Sequence, residues 1–439
     1  MSWHLIVKIG TADTYSPVIS SNEPRLSVSI NVPGDPFAIK NNLFKETSGR
    51  TLLNPSSLAI DLLNLALGVY TADLKIARNL SKDRWTRDLV IHLPVVNLEI
   101  WLTNRELVQN MLSFLTGDRW KIQFRQHECD EKWYIADSDA PKLDTVCLFS
   151  GGLDSLVGAI DILEEGKNVA LISHHGAGMT QSFQQKVLRG LEAEYGNFIT
   201  SYSFYVQPPK RRTGPGEPSM RSRSILFLAM GTFVASLFSE AVPLVVAENG
   251  LISLNVCLTS ARLGSLSTRT THPHFISLYQ ELLDSIGLKN PVELPYQFQT
   301  KGEMFKQVAN YDLLSKLVDI TMSCSHPESG RYLGKAPGNH CGYCVPCIIR
   351  RASLAAVGLD KGIYNIDILK NEPSYENDRG RDYRAFQMAV ERYRTSGSKV
   401  SPFDVLKSGP LPPESIKEYM EMYSRGMDEV LQFLENTLI

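Results

Sequence analysis

The chain has 439 residues, a length that two or three domains fit better than one. Its content of 43% hydrophobic and 21% charged residues is typical of a soluble globular protein and excludes a largely disordered chain. The net charge of −2 and the pI near 6.5 argue against a general nucleic-acid or membrane-surface binder.

The beginning of the chain has no signal-peptide pattern, because no basic stretch precedes a long apolar core and a small-residue cleavage site. The longest apolar run, residues 225–238, is too short to span a bilayer and is followed by Glu240 and Pro243. We therefore expect a cytoplasmic protein with no membrane segment.

Residues 1–140 are predicted to form an α+β domain of their own, with no catalytic motif and a possible role in docking a partner. The strands Leu26–Val32 and Leu89–Pro94 and the helices Ser57–Tyr70 and Glu106–Leu115 follow from the apolar periodicity. Two charged segments, 127–132 and 137–142, are interpreted as a linker to the next domain.

Strands and helices alternate from Asp144 onward. The predicted strands are Thr145–Phe149, Val169–His174 and Ile199–Val206, and the predicted helices between them are Ser155–Glu165 and Gln181–Tyr195. This order is typical of a doubly wound parallel sheet covered by helices, in which ligands bind outside the carboxyl ends of the strands. We therefore expect one crevice lined by the loops that follow Phe149, His174, Val206 and Ala247.

The first of these loops carries the sequence SGGLDS, residues 150–155. Adjacent glycines allow a sharp turn that brings backbone N–H groups close to an anion, and the next helix adds its positive end. The loop is too short for a Walker A motif and lacks its lysine. An ordinary turn between strand and helix is the simpler alternative. We expect nucleotide binding by Ser150, Gly151, Gly152, Leu153 and Ser155, and Mg²⁺ binding by Asp154.

Two further basic residues are candidates for contact with phosphates. The Gly-, Pro- and Arg-containing segment 210–223 is either a solvated loop or a lid over the crevice, and Arg223 at its end begins the predicted helix Ile225–Ser239. Thr300 and Glu303 form a capping box, which leaves Lys301 either on the surface or directed at phosphates.

Four of the seven cysteines lie at the spacing of a closed metal site: Cys324, Cys341, Cys344 and Cys347. Four thiolates favour structural zinc, with an iron–sulfur cluster or disulfides as alternatives. Arg350 and Arg351, which follow, are predicted to offset the thiolate charge. The remaining cysteines are predicted to be buried apolar residues: Cys129, Cys147 and Cys257.

The chain beyond residue 358 is predicted to be helical and charged. Helical periodicity covers Asp382–Thr395 and Pro413–Leu438, on either side of a Gly-, Ser- and Pro-containing linker. We interpret residues 359–439 as an extension for packing or for a partner, with no visible chemistry.

The loop and the cysteines together resemble the 7-cyano-7-deazaguanine synthase (QueC) family over about residues 144–356. SGGxDS is matched at residues 150–155, and Arg223 matches a helix-start motif whose following Asn is absent. Lys301 and Glu303 match a Lys-x-Glu turn, and the four cysteines match the zinc motif. The resemblance implies a PP-loop, adenine nucleotide alpha hydrolase-like domain over residues 141–358, with a zinc loop at 324–347. It also implies cleavage of ATP to AMP and pyrophosphate with Mg²⁺ and Zn²⁺, and catalytic roles for Asp154, Arg223 and Lys301.

The family's substrate-recognition segment is not recognisable around residues 174–184, which leaves the substrate open. With its added domain and tail, the chain is similar to the QueC-like component of bacterial anti-phage defence systems such as Qat. This similarity implies adenylation of a deazaguanine-like carboxylate, transfer to ammonia or a protein amine, and a partner protein from the same operon. The alternatives are 7-cyano-7-deazaguanine synthesis for queuosine, a tRNA-modifying PP-loop enzyme, which the pI disfavours, and a nucleotide-sensing scaffold. Direct nucleic-acid binding is not expected.

Overall fold

The computed structural model describes residues 2–128, 142–176, 178–210, 217, 221–259, 269–373 and 378–435. Three predicted features lie largely or wholly outside these residues. They are the linker, of which 129–141 are not described, Cys129, and the basic segment, of which 211–216 and 218–220 are not described.

The elements are numbered in chain order. The strands are β1 Ser2–Ile9, β2 Arg25–Ile30, β3 Lys40–Asn41, β4 Asp88–Val95, β5 Arg119–Gln126, β6 Thr145–Leu148, β7 Val169–His175, β8 Ile199–Gln207, β9 Leu244–Val245 and β10 Val292–Glu293. The helices of the first half are α1 Leu43–Thr47, α2 Ser57–Lys75, α3 Leu98–Thr103, α4 Arg105–Thr116, α5 Leu153–Glu164, α6 Thr180–Tyr195 and α7 Arg223–Ser236. Those of the second half are α8 Gly250–Leu254, α9 Pro273–Ile286, α10 Lys301–Gln307, α11 Tyr311–Leu317, α12 Val345–Ala355, α13 Arg381–Thr395, α14 Pro402–Leu406 and α15 Ile416–Glu435.

The first sheet has the strand order β2-β1-β4-β5, and every neighbouring pair is parallel. The prediction of an α+β domain is therefore wrong for this part of the chain, which has the α/β arrangement. Parallel neighbours need a connection that carries the chain back to the starting edge of the sheet. Helix α2 makes this connection before β4, and α3 and α4 make it between β4 and β5. The strand and helix positions themselves are confirmed to within a few residues, apart from a longer α2.

Helix α2 is long and apolar enough to cross a membrane, which no other described helix is. However, 83% of its most apolar window is buried inside the protein. A helix that is apolar on all sides is expected at the centre of a large core. Helix α2 occupies this position, because it packs between α7 on one side and strands β1 and β4 of the first sheet on the other.

The second sheet has the order β10-β9-β6-β7-β8-β3, and all pairs are parallel except β3 with β8. From β6 the chain first moves through β7 to β8, and it then returns to place β9 on the other side of β6. The predicted parallel sheet is confirmed, and its topology is doubly wound. The strand order reverses between β6 and β9, which is where sheets of this kind bind ligands.

Apolar side chains cover both faces of the second sheet. One face packs against α5, α6, α10 and α11, and the other packs against α7 and α9. The latter core continues without interruption into the first sheet and α2. A third apolar cluster joins α12, α13 and α15 around the cysteines. The predicted C-terminal helices are therefore confirmed, and they pack on the rest of the protein.

Candidate active site and metal centre

The predicted nucleotide loop forms a tight turn between β6 and α5. Gly151 has a φ of +79°, and a side chain there would meet Gln184 at 3.0 to 3.2 Å, including its backbone N and Cα. The Ser150 Oγ accepts a hydrogen bond from the Gly152 N–H at 3.3 Å, and the Ser155 hydroxyl donates to the Gly152 carbonyl at 3.0 Å. Only glycine fits position 151, and the two hydroxyls fix the loop.

Helix α5 begins directly after this loop without a side-chain cap at Gly152. An uncapped helix start presents backbone N–H groups and the positive end of the helix dipole, the combination that binds anions. One of these groups, the Leu153 N–H, donates to Ser323 Oγ at 3.3 Å. The geometry of this helix start is therefore compatible with an anion such as a phosphate group, and the Ser323 hydroxyl lies at its margin.

Asp154 is buried in the first turn of α5 and holds a lysine from a distant helix. The Lys301 Nζ lies 3.0 Å from Asp154 Oδ2, and the lysine side chain is only 3% exposed. Asn249 donates from Nδ2 to the same oxygen at 3.1 Å while its Oδ1 caps α8 by accepting from Ile252 N. Lys301 is thus a buried crevice residue and is not on the surface.

The second oxygen of Asp154, Oδ1, is a candidate ligand for a cation. Oδ1 is buried and accepts no hydrogen bond from an N–H group or a hydroxyl of the described residues, but the Glu248 side chain is hydrogen-bonded to Asp154. Glu248 lies beside Asp154, and burial together with this carboxylate raises the pKa of Glu248 well above its usual value. Carboxylate oxygens are the ligands that Mg²⁺ prefers, so these residues fit the ion. Mg²⁺ bound there would neutralise phosphate charge.

Arg223 lies one strand away from the loop, beside the end of β7. Its guanidinium donates to Nδ1 and to the carbonyl of His174, both at 3.3 Å. Burial and the positive Arg223 lower the pKa of His174 to about 3, so the imidazole is neutral and accepts this bond. Gln184 links the end of β7 to the predicted nucleotide loop, because its side-chain amide donates to the carbonyls of His174 and Ser150. Burial lowers the pKa of Arg223, and the acidic group that counteracts this effect is the nearby Tyr70 rather than a carboxylate.

A buried ion network from the first sheet holds the start of α7. Asp73 accepts from the N–H and the hydroxyl of Ser222, the residue before Arg223, at 3.0 and 2.9 Å. The other Asp73 oxygen pairs with Arg87 at 2.7 Å, and Arg87 also pairs with Asp118 at 2.6 Å. All three charged side chains are fully buried. The N-terminal residues thereby fix the helix that carries Arg223.

The four predicted metal ligands converge on one point. Their sulfur atoms all lie within 4.8 Å of one another, and two of the separations are 3.9 and 3.8 Å. Tetrahedral zinc with bonds of about 2.3 Å requires sulfur separations of about 3.8 Å. The backbone N–H groups of His326 and Cys341 both donate to Cys324 Sγ at 3.2 Å, as they would to a thiolate. The cluster can therefore hold a metal such as zinc.

The metal cluster and the nucleotide loop are joined by the residues before Cys324. The Met322 N–H donates to the Gly151 carbonyl at 3.0 Å, and Ser323 accepts from the Leu153 N–H. Ser323 belongs to no motif that could be recognised in the sequence. The feature that could have pointed to it is its position beside Cys324, because a metal ligand holds the neighbouring chain in place.

Two sequence expectations about charge and cysteine burial need correction. Arg351 does not offset the thiolates, because it pairs with Asp360 at 3.1 Å and Asp367 at 2.7 Å. Arg350 does interact with the charge of Cys347, as predicted, and it also donates to Thr321 Oγ1 at 2.7 Å in the segment that leads to Cys324. Cys147 is buried as predicted, whereas Cys257 is only half-buried.

The structure thus brings residues 150–155 together with Lys301 at the reversal point of the sheet, and it places Arg223 at the neighbouring strand. The chain matches no protein-family model, and no curated protein matches it significantly in sequence. The protein defined by these findings is a mixed α/β protein with a parallel sheet and a four-cysteine cluster that can bind a metal.

Proposed function

We propose that this protein is a PP-loop enzyme of the QueC type, which cleaves ATP to AMP and pyrophosphate in order to adenylate a carboxylate. The observation that carries the proposal is the position of the uncapped start of α5. It lies where the sheet order reverses, beside a buried carboxylate and a buried ammonium. A short anion-binding loop without a Walker lysine suits pyrophosphate that leaves as one unit.

The site residues take separate roles in this reaction. A substrate carboxylate oxygen attacks the α-phosphorus, the bond to the bridging oxygen breaks, and pyrophosphate departs with that electron pair. The hydroxyls of Ser150 and Ser155 and the first-turn N–H groups bind the departing pyrophosphate. Lys301 and Arg223 stabilise its charge, and Asp154 holds Mg²⁺. No nucleophilic side chain is required.

An amine then completes the reaction by attacking the carbonyl carbon, which releases AMP and one proton. The acceptor is ammonia or a protein amine, since both are equivalent towards an acyl adenylate when neutral and aligned. The resemblance to the Qat component extends the proposal to anti-phage defence, with a deazaguanine-like acid as the activated substrate. In that setting a partner protein from the same operon provides the amine.

The test is nucleotide product analysis with the purified enzyme, Mg²⁺ and candidate acids. We expect AMP and pyrophosphate from the wild type and their loss in Asp154→Asn, which remains folded. Asp144→Asn, at the amino end of β6, is the matched control and should retain activity, because the Asp144 side chain accepts hydrogen bonds from Asn168 at the opposite end of the strand from the loop. Formation of ADP would refute the proposal. Co-expression with neighbouring gene products and intact-mass measurement distinguishes a protein amine from ammonia.

A further inference from the structure

Helix α15 reaches across the protein to the first turn of α10, the helix that begins with Lys301. Two of its residues, one turn apart, make the contact. Arg425 donates from Nε to Glu303 Oε1 at 2.6 Å and from Nη2 to the Phe298 carbonyl at 2.8 Å. Glu429 accepts hydrogen bonds from the Thr300 hydroxyl and, at 3.2 Å, from Ser353 Oγ of α12.

These contacts fix the N-cap of α10 in one rotamer. The Thr300 hydroxyl accepts the Glu303 N–H at 3.1 Å and gives its only proton to Glu429. Glu303 in turn accepts the Thr300 N–H at 2.8 Å while Arg425 holds its other oxygen. Both partners of the capping box are thus held from outside by α15, an arrangement that an isolated capping box does not have.

Glu429 also occupies the space beside the second residue of α10. A side chain at Gly302 would lie 2.4 Å from Glu429 Oε1, so a larger residue at this position would require the carboxylate to move. A negative group at this point lies at the positive end of the α10 dipole and is stabilised by it. Hydrogen bonds from Thr300, Ser353 and the Gly302 backbone oppose the rise in the Glu429 pKa that burial causes.

Lys301 depends on the contacts from α15 because it is the first residue of α10 and its ammonium group is buried. A buried charge has one favourable position, 3.0 Å from Asp154 Oδ2, and a shift of the helix start would move it away from its partner. Misplacement of a catalytic group by about 1 Å can lower the rate about 100-fold.

We propose that Arg425 and Glu429 of the C-terminal helix are positioning residues for Lys301, which hold its ammonium in register with Asp154 and the nucleotide loop. The consequence for catalysis rests on the proposed function, whereas the positioning itself does not. The C-terminal extension is on this basis a working part of the active site.

The first experiment measures the position of Lys301 without any nucleotide. An amine-reactive ester is applied briefly, and labelling at Lys301 is read by peptide mass spectrometry relative to the exposed Lys417. We expect slow labelling in the wild type and an increase of at least about fivefold in Glu429→Ala, because the start of α10 opens locally. Glu429→Gln retains one acceptor and should fall between the two. Glu418→Ala, at an exposed position of the same helix, should match the wild type.

A second variant separates positioning from general loss of stability. Val430→Ala removes buried apolar volume from α15 without removing a hydrogen bond to α10. If Val430→Ala and Glu429→Ala lose equal stability in urea but only the latter exposes Lys301, the proposal stands. Equal labelling in the two variants, or wild-type labelling in Glu429→Ala, would overturn it.

AMP formation then tests the consequence. We expect kcat to fall about tenfold or more in Glu429→Ala with a smaller change in KM, and partial rescue in Glu429→Gln. If the wild type forms no AMP while Lys301 labelling responds as described, the proposed function fails and the positioning role remains. An unchanged kcat in a variant with exposed Lys301 would overturn the role of these residues in catalysis.

Discussion

Replacing Gly151 with alanine tests the shape of the nucleotide loop, and Gly166 provides a matched control at the other end of the same helix. Both glycines have left-handed backbones, with φ of +79° and +73°. Alanine in that conformation costs about 1–2 kcal/mol at either position. A Cβ at Gly166 would meet nothing within 4 Å, so this strain is its whole cost.

At Gly151 the new Cβ has no room. It would lie 3.0 Å from the Gln184 Cγ, 3.1 Å from its Cα and 3.2 Å from its N, and the last two are backbone atoms of α6. Overpacking of this kind costs about 1–3 kcal/mol beyond the strain. We therefore expect Gly151→Ala to lose about 1–3 kcal/mol more stability than Gly166→Ala, measured as the shift in urea midpoint at constant slope.

The same overpacking reaches the proposed ATP site. If the loop moves to relieve the contact, ATP binding must restore the original loop shape at a cost of about 1–3 kcal/mol. This cost corresponds to an ATP affinity that is about 5-fold to 150-fold weaker. Isothermal titration of both variants with ATP measures this, and Gly166→Ala should bind as the wild type does. Equal midpoints for the two variants, together with unchanged ATP affinity in Gly151→Ala, would refute the reasoning.

Three further predictions concern the metal, the buried ions and the pH. Freshly purified protein should contain one zinc per chain, and Cys344→Ser should lose it and destabilise the C-terminal half; iron with a visible absorption band would contradict this. Asp73→Asn should lose about 3–5 kcal/mol in urea unfolding because it leaves the buried Arg87 charge short of a partner, whereas Asp88→Asn, in an exposed pair, should change little. Burial and the nearby His4 lower the pKa of His92 to about 4, below the value of the unfolded chain, so the native state excludes a proton that the unfolded state binds. Stability should therefore fall as the pH decreases from about 6.5 to about 4, and this slope should be smaller in His92→Gln; identical slopes would contradict the assignment.

Local sequence patterns predicted the elements whose folding is itself local. The strands β6, β7 and β8, the loop between Ser150 and Ser155, and the capping box at Thr300 all depend on neighbours within a few residues. The direction of strand pairing in the first sheet does not have such a basis. Alternation of apolar residues in β1, β2, β4 and β5 is compatible with either direction, and the α+β prediction failed for that reason.

The contacts that complete the candidate site join residues far apart in the chain, and sequence patterns do not reveal them. Glu429 and the Thr300 hydroxyl are 129 positions apart, and Asn249 is 95 positions from Asp154. Asn249 was expected only as part of a loop facing the crevice, because the sheet topology directs that loop there. A charged residue in a helical tail, such as Glu429, has the same local signature as a solvated one.

The segments before and after residues 141–358 both support this part of the chain, each through one helix that carries a cation. Asp73 of α2 caps the start of α7 and so fixes Arg223, whereas Glu429 of α15 fixes the start of α10 and Lys301. Removing residues 1–140 would also expose the apolar side of α7, which shares one core with α2. Residues 141–358 are therefore not a self-sufficient unit, and the extensions have a structural reason that does not depend on a partner. A partner that delivers an amine must then bind a surface that these packing contacts leave open.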